Sequence, residues 1–301
     1  MKSRLYRGRF APSPTGPLHY GSLLTATASY LQARSNSGSW TIRLENIDPE
    51  REPKGSLQSI LECLADYGFN WDGHPILQNK RIAYHQHIAQ QLLNNNLAYR
   101  CICSRKNLAA NAMSGPMGII YPGTCRNLQL PAQNNQAIRI KTDHTSISFV
   151  DHFYGLQECD MATHSGDYVI LRTNQLPSYI FASSLDDLHE HYTQIVRGND
   201  LLPLTARQIH LSKIMGRETA EFFHLPIITD QHGDKLSKQT HAPALVKAHA
   251  RHMLVNVLED LGQDPPRSLR WQRLTTLWAW AFEHWDKTQI PKTDNIIFTD
   301  R

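Results

Sequence analysis

Nowhere in the chain is there an apolar run long enough to span a bilayer, and the opening MKSRLYRGRF has no hydrophobic core of signal-peptide length. Neither end carries a basic arm, no block of like charges interrupts the sequence, and internal repeats and low-complexity tracts are absent. Cysteine is scarce and odd in number at five, which argues against a disulfide framework. The expectation is a globular, soluble, cytoplasmic protein with no membrane partner. The excess of positive charge is small, 31 Lys and Arg against 27 Asp and Glu for a formal net charge of +4, and it permits an RNA partner without arguing for one. With 301 residues, 41% of them hydrophobic, the chain can bury a substantial core as one large domain or two modest ones.

What is present is an alternation of strand-like and helix-like segments. Leu5 to Phe10 reads as a short strand running into GRFAPSPTGPLHYGS (residues 8–22), a loop dense in proline, glycine and serine. Residues 22–34 follow as a helix with Leu24, Ala28 and Leu31 on one face. TIRLEN (41–46) is a second strand, and Leu57, Ile60, Leu61 and Leu64 recur at the spacing of a second helix that Gly68 is placed to stop. Strands alternating with helices require parallel crossovers, so the expected fold is α/β, a doubly wound parallel sheet of Rossmann type with its ligand site at the carboxyl ends of the strands.

Along the chain, 1–98 is read as the first half of a nucleotide-binding domain, with residues 72–98 helical, and 99–165 as an insertion rich in turns, short strands and cysteines. In 166–240, the second half, DYVILRT, YIFASSL and QIVRGND supply further strands. The remainder, 241–301, is helical, with one stripe of Leu254, Val257, Leu258 and Leu261 and another of Leu274, Leu277, Trp278, Ala281 and Trp285.

A loop joining a strand to a helix amino terminus presents unpaired amides and the positive end of the helix dipole, and favours anions such as phosphate. Gly16 and Gly21 let the backbone approach a ligand and His19 adds a donor, although the same residues equally describe an ordinary capped turn with a surface histidine. DKLSKQT (234–240) sets Lys235 and Lys238 on either side of Ser237, a pair able to clamp a polyphosphate and stabilise charge on a departing pyrophosphate. Taken alone, loop lysines are more often simply solvated. Cys101, Cys103 and Cys125 are soft ligands close together in the sequence and suit a tetrahedral metal, with free thiols as the equal alternative. Cys63 and Cys159 read as buried thiols.

Taken together, RFAPSPTG followed by LHYGS resembles the HIGH-type signature of class I aminoacyl-tRNA synthetases, in their glutamyl branch, and DKLSKQ resembles the paired KMSKS-type loop. TIRLENIDPER, LPSYIFASSLDD and QIVRGND resemble further segments of that family, so the likeness runs over roughly residues 4–245. It implies ATP with Mg²⁺ as substrate, held by Pro12, Gly16, His19, Gly21, Ser22 and Lys238, and L-glutamate held by Arg9, Phe10, Ala11, Pro12, Ser13, Glu45, Tyr179 and Arg197. It assigns catalysis to His19, Gly21, Lys235, Ser237 and Lys238. The residue types agree: a guanidinium fork meets a carboxylate and a carboxylate meets an ammonium, though each alone would read as a structural ion pair. Tyr20, Asn46, Leu236 and Gln239 depart from the usual pattern.

YRCICSRKNL and IIYPGTCRN resemble the family's zinc-binding region, which implies Cys101, Cys103, Tyr121 and Cys125 as ligands of a structural Zn²⁺. Only about sixty residues follow the lysine loop, where full glutamyl-tRNA synthetases continue into a helical anticodon-binding half, so no such domain is expected. The chain is thereby similar to the glutamyl-queuosine tRNA(Asp) synthetases. That resemblance implies formation of glutamyl-adenylate and transfer of glutamate to the queuosine base of tRNA(Asp). A compact enzyme charging the 3′ end of tRNA(Glu), a different HIGH-type nucleotidyltransferase and an inactive RNA-binding paralogue are the alternatives. His85, His87, His189 and His191 read as solvated, and Trp271, Trp278, Trp280 and Trp285, at helical spacing, as core rather than as stacking surfaces for RNA.

Overall fold

The computed structural model describes residues 5–104, 106–108, 112–236 and 243–299, so Ser237, Lys238 and Gln239 lie outside the described residues. Two compact units are formed: Met1–Leu77, Tyr192–Asp200 and Glu221–Arg301 make the first, and Gln78–His191 with Leu201–Ala220 the second.

In the first unit the strand Arg7–Phe10 leads through the proline-rich loop into the helix Tyr20–Ser35 and on to the strand Ser39–Leu44, which pairs in parallel with the first strand. Parallel neighbours need a crossover, and this helix supplies it. Ile76–Leu77 adds in parallel beside Ser39–Leu44, Gln194–Gly198 pairs with Glu221–Leu225, and Ile227–Thr229 with Asn295–Ile297. Among the described residues all four of these ladders are parallel, although Ile76–Leu77 and Asn295–Ile297 are strands within stretches read from the sequence as helical. Thr193, just ahead of Gln194–Gly198, links that strand to the first: Arg7 N–H donates to its Oγ1 at 2.9 Å, and its own N–H donates to the Arg7 carbonyl at 2.9 Å.

The helix Tyr20–Ser35 is buried on nearly every face, Leu23, Leu24, Ala28 and Leu31 being almost wholly covered, because it packs on the strands and on the helices Ala250–Asp260 and Leu274–His284. Tyr30 sits at the centre of an aromatic core, its ring 4.8 Å from Trp40, 5.4 Å from Phe69 and 5.1 Å from Trp278. Gly68 ends the helix Ser56–Asp66 at φ +76°, and a Cβ there would meet Trp278 Nε1 at 2.9 Å. The sequence placed a stop at this glycine; the structure adds that the indole passes against it to donate to the Tyr67 carbonyl at 3.0 Å.

The second unit is built differently. Ala98–Cys101 and Val169–Leu171 flank Ala137–Ile140 in antiparallel pairing, and Ser146–Asp151 turns back on Gly155–Asp160 as a hairpin. The helices Ile82–Asn94, Tyr179–His189 and Thr205–Ile214 complete it. Two expectations are corrected. YIFASSL is not a strand but the start of Tyr179–His189: a short apolar run does not by itself distinguish strand from helix, and here Ser178 in extended backbone and the following LDDLH set a helical period. DYVILRT does give a strand, but an antiparallel one.

His85 is also corrected, being wholly buried rather than solvated. It shares the inner face of its helix with Ile88 and Leu92, and its Nε2 lies 2.9 Å from Asp186 Oδ1, where the carboxylate also accepts from Gln78 Nε2 at 2.8 Å. Arg81 pairs with Glu190 and approaches Asp186 at 3.5 Å. His87, His189 and His191 are exposed as expected. No helix among the described residues is long and apolar enough to cross a membrane.

Candidate active site and metal centre

The proline-rich loop brings three of the sequence-predicted positions to one helix end. Gly16 adopts φ +148°, open to glycine at little cost, and the Glu45 amide donates to the Pro12 carbonyl at 3.0 Å, fastening the loop to the end of the strand Ser39–Leu44. His19 is the cap residue of the helix Tyr20–Ser35 with extended backbone, and neither a side-chain cap nor an acidic residue occupies that first turn. The end of the dipole therefore remains available to an anion. At Gly21 a Cβ would stand 3.3 Å from His19 Cε1, so the glycine gives the imidazole its room.

The segment after the lysine loop returns to this end: His19 forms an isolated antiparallel bridge with Ala244, and Leu245 N–H donates to the Leu18 carbonyl at 3.0 Å. Ahead of the loop, Lys235 bridges to Thr229 and Leu236 N–H donates to the Ile228 carbonyl at 2.8 Å, which extends the strand Ile227–Thr229 into a tight turn. Lys235 Nζ pairs with Asp200 Oδ2 at 2.6 Å. Asp200, the last residue of QIVRGND, was not singled out from the sequence, since nothing local shows that it faces a lysine thirty-five residues on. Both ends of the loop that carries Ser237 and Lys238 are thus anchored within the first unit.

Of the residues expected to hold an amino acid, Arg9, Glu45 and Arg197 lie on strands of that unit or just past a strand end. Arg9 is buried on Arg7–Phe10, with its guanidinium donating to the Val196 carbonyl at 3.3 Å, and Arg197 is buried on Gln194–Gly198. Arg197 Nε donates to His224 Nε2 at 3.0 Å, which requires the proton of that imidazole to be on Nδ1, and its guanidinium stands 5.5 Å from the Phe222 ring centre. Glu45 is buried and paired through Oε1 with Arg43 at 2.9 Å. Arg43 and His224 were missed in the sequence reading. The alternation of RLE in a strand, which puts Arg43 and Glu45 on one face, was the available signal for the first. Phe10 and Pro12 are buried, whereas Ala11, Ser13 and Ser22 are half-buried along the loop and its helix. Tyr179 belongs to the second unit, where it begins its helix and lines a cavity of about 330 Å³ with Arg139, Asp167 and Arg207.

The cysteine segment closes on itself in the second unit. The sulfurs of Cys101, Cys103 and Cys125 lie within 4.8 Å of one another, Cys103 and Cys125 being 3.6 Å apart. The Tyr121 hydroxyl stands 3.4 Å from both Cys101 and Cys103 and accepts from the Cys125 amide at 2.8 Å. Tetrahedral zinc with sulfur at about 2.3 Å sets neighbouring sulfurs about 3.8 Å apart, so this donor set fits such an ion in number, softness and spacing. Burial pushes the Cys103 thiol up. Burial also opposes ionisation of Cys125, but hydrogen bonds with Tyr121, the Ile102 backbone and the other two cysteines outweigh it and hold that thiol below its ordinary value. Tyr121 is raised by burial and by the surrounding thiols. Arg139 Nε donates to Cys101 Sγ at 3.3 Å while its guanidinium covers the Tyr121 ring at 3.9 Å, so one cation steadies both groups.

A parallel α/β unit with an open helix terminus, facing a returning lysine-loop segment, is the architecture of a class I aminoacyl-tRNA synthetase, and a family model described as tRNA synthetases class I (E and Q), catalytic domain, matches residues 6–267. A relative from Chromobacterium violaceum named Glutamyl-Q tRNA(Asp) synthetase is 41% identical over 97% of each chain. One of the same name from Neisseria meningitidis is 43% identical over 96% of this chain and 98% of its own. The chain belongs to this family of aminoacyl-tRNA synthetase ligases. Among solved structures, a glutamate tRNA ligase from Elizabethkingia meningosepticum superposes with a TM-score of 0.79 at 24% identity, and this chain spans 66% of its length. The glutamate-tRNA synthetase of Elizabethkingia anophelis gives 0.81 at 24% identity over 98% of this chain and 68% of its own. These two agree with the fold described above.

Proposed function

We propose that the protein activates L-glutamate with ATP to glutamyl-adenylate and pyrophosphate, and then transfers the glutamyl group to the queuosine base of tRNA(Asp). The observation that carries the first step is the meeting of His19 and the open helix terminus with the segment that returns from the lysine loop. The glutamate carboxylate attacks the α-phosphorus in line, pyrophosphate leaves, and no protein nucleophile takes part, so catalysis is positioning plus stabilisation of charge. Helix amides and His19 meet the phosphate oxygens, and Lys235 and Lys238 meet the pyrophosphate. Mg²⁺, carried in with ATP, neutralises phosphate charge when bound.

Arg9 and Arg197 supply forks for carboxylates, and Glu45, fixed by Arg43, meets the ammonium group. A zinc ion held by Cys101, Cys103, Cys125 and Tyr121 would be structural, bracing the insertion around a small cluster of buried residues. The choice of acceptor is supported by the names of the relatives. It is tested by incubating the protein with ATP, radiolabelled glutamate and purified tRNA(Asp), with and without queuosine, alongside tRNA(Glu). Label confined to queuosine-containing tRNA(Asp) is the expected outcome; label on tRNA(Glu) would make this a compact synthetase for the acceptor end.

A further inference from the structure

Of the four tryptophans whose helical spacing predicts core packing only Trp278 is buried, joining Trp40 in the aromatic core of the first unit, while Trp280 and Trp285 are half-buried. Trp271 is neither. It ends the short 3₁₀ helix Arg267–Trp271 with 73% of its surface exposed, and its ring contact is an edge-on approach by His252 at 5.1 Å. The backbone beneath it is fixed, since Leu269 of the same turn is buried and the turn packs on the helix Ala250–Asp260. An indole left in water on a firm support forgoes the stabilisation that burial would give it.

The neighbours of Trp271 are cationic. Arg251, beside His252, and Arg267 and Arg273, on either side of the tryptophan in the chain, are exposed. Among the described residues their side chains make no hydrogen bond or ion pair. The nearby acids are engaged elsewhere: Glu259 accepts both bonds of Arg270 at 3.0 and 3.1 Å, and Asp260 accepts from the Tyr20 hydroxyl at 2.6 Å. Only Asp264 stands exposed in the same stretch. An exposed aromatic face on a turn and neighbouring helix that also carry unneutralised arginines is complementary to one partner chemistry above others, an unpaired nucleobase stacked on the ring with its flanking phosphates held by arginine.

We infer that Trp271, with Arg251, Arg267 and Arg273, forms a stacking platform for a single-stranded segment of the RNA substrate. This rests on the functional reading above in taking RNA as that substrate. The bond from Tyr20 to Asp260 ties the platform's supporting helix to the residue next to His19, so RNA docked here is held on the same scaffold as the adenylate-forming loop. The platform contributes to binding RNA and not to making the adenylate.

The test compares wild type, Trp271→Ala, Trp271→Phe and the double variant Arg267→Ala/Arg273→Ala by fluorescence-anisotropy titration with labelled tRNA(Asp) at several salt concentrations, with glutamate-dependent ATP–pyrophosphate exchange and sedimentation velocity alongside. Trp271→Ala is expected to weaken tRNA binding about five- to hundredfold, the range for loss of one stacked base, while Trp271→Phe retains most of it. The double variant is expected to flatten the slope of log affinity against log salt by about 0.7 for each phosphate that is no longer neutralised. Exchange is expected to stay at the wild-type rate in all of them. Trp271→Ala that binds tRNA as tightly as an acylating wild type overturns this inference alone, as does a change confined to sedimentation, which would assign the face to a protein partner. Wild-type protein that neither binds nor acylates tRNA overturns the functional reading and this inference with it.

Discussion

Tyr30, Trp40, Phe69 and Trp278 close the first unit around an aromatic core, whereas the second unit buries two carboxylates that each gather several donors. Asp167, almost wholly buried, accepts from the Tyr99 hydroxyl at 2.7 Å, from Arg126 at 2.8 Å and from the Thr142 amide at 2.6 Å; Asp186 accepts from Gln78 and His85. Apolar packing is tolerant of a changed polar residue at its edge, because few buried donors depend on it. A buried carboxylate hub is not, because removing it strands several donors at once. The contrast teaches where stability and chemistry separate: substitutions at the helix terminus of the first unit should change rate without loss of fold, and those at the hubs of the second should do the reverse.

The largest effect expected from this contrast is at Asp167. Asp167→Asn should lower the stability of the second unit by about 3–5 kcal/mol in chemical denaturation, the cost of breaking a buried charged network on one side. A loss below about 1 kcal/mol, the range of an exposed pair, would erase the distinction between the units. Next comes His19→Ala, which should reduce glutamate-dependent ATP–pyrophosphate exchange about 10²–10³-fold, as removal of a preorganised donor does, with an unchanged denaturation midpoint. A midpoint that falls along with the rate would show His19 to be a structural residue of the first unit.

Metal removal sharpens the comparison further. One zinc per chain is expected by elemental analysis, and chelation should lower the thermal midpoint of the second unit while leaving that of the first in place. Cys125→Ala should abolish the metal content. The smallest effect expected is a pH dependence from His210, whose Nδ1 lies 3.2 Å from the Tyr168 hydroxyl. Burial holds its imidazole below the ordinary value of 6.5; Asp143 and Asp167 oppose the effect and Lys213 adds to it. As pH falls past that value the unfolded chain takes up a proton before the folded one does. This contribution to stability is therefore present above about pH 6.5 and lost as the pH falls toward the folded value. His210→Gln should flatten the acid side of a stability–pH profile measured by denaturation.

The first unit was the more legible of the two. Its strand, proline-rich loop and helix follow from local rules, with Leu24, Ala28 and Leu31 buried as their spacing requires, and QIVRGND forms the strand it resembles. What escaped reading there depends on contacts distant in sequence: Asp200 on Lys235, His224 on Arg197, and the exposure of Trp271, whose helical spacing argues for burial. In the second unit local patterns misled where buried polar contacts join residues distant in sequence. His85 looks like a surface residue until Asp186 is brought against it from a helix about a hundred residues later, and YIFASSL carries too short an apolar run to reveal its period. The cysteine cluster was visible as spacing and Tyr121 through the family resemblance; the fold adds that the Tyr121 hydroxyl stands 3.4 Å from two of the sulfurs.

The most direct test of the central claim, that the first unit forms a glutamyl-adenylate, is ATP–pyrophosphate exchange by the purified protein with no RNA present, one amino acid at a time. Exchange supported by L-glutamate and not by L-glutamine or L-aspartate is the result this account predicts. Absence of exchange with glutamate while another amino acid supports it would contradict the assignment of Arg9, Glu45 and Arg197 to that substrate.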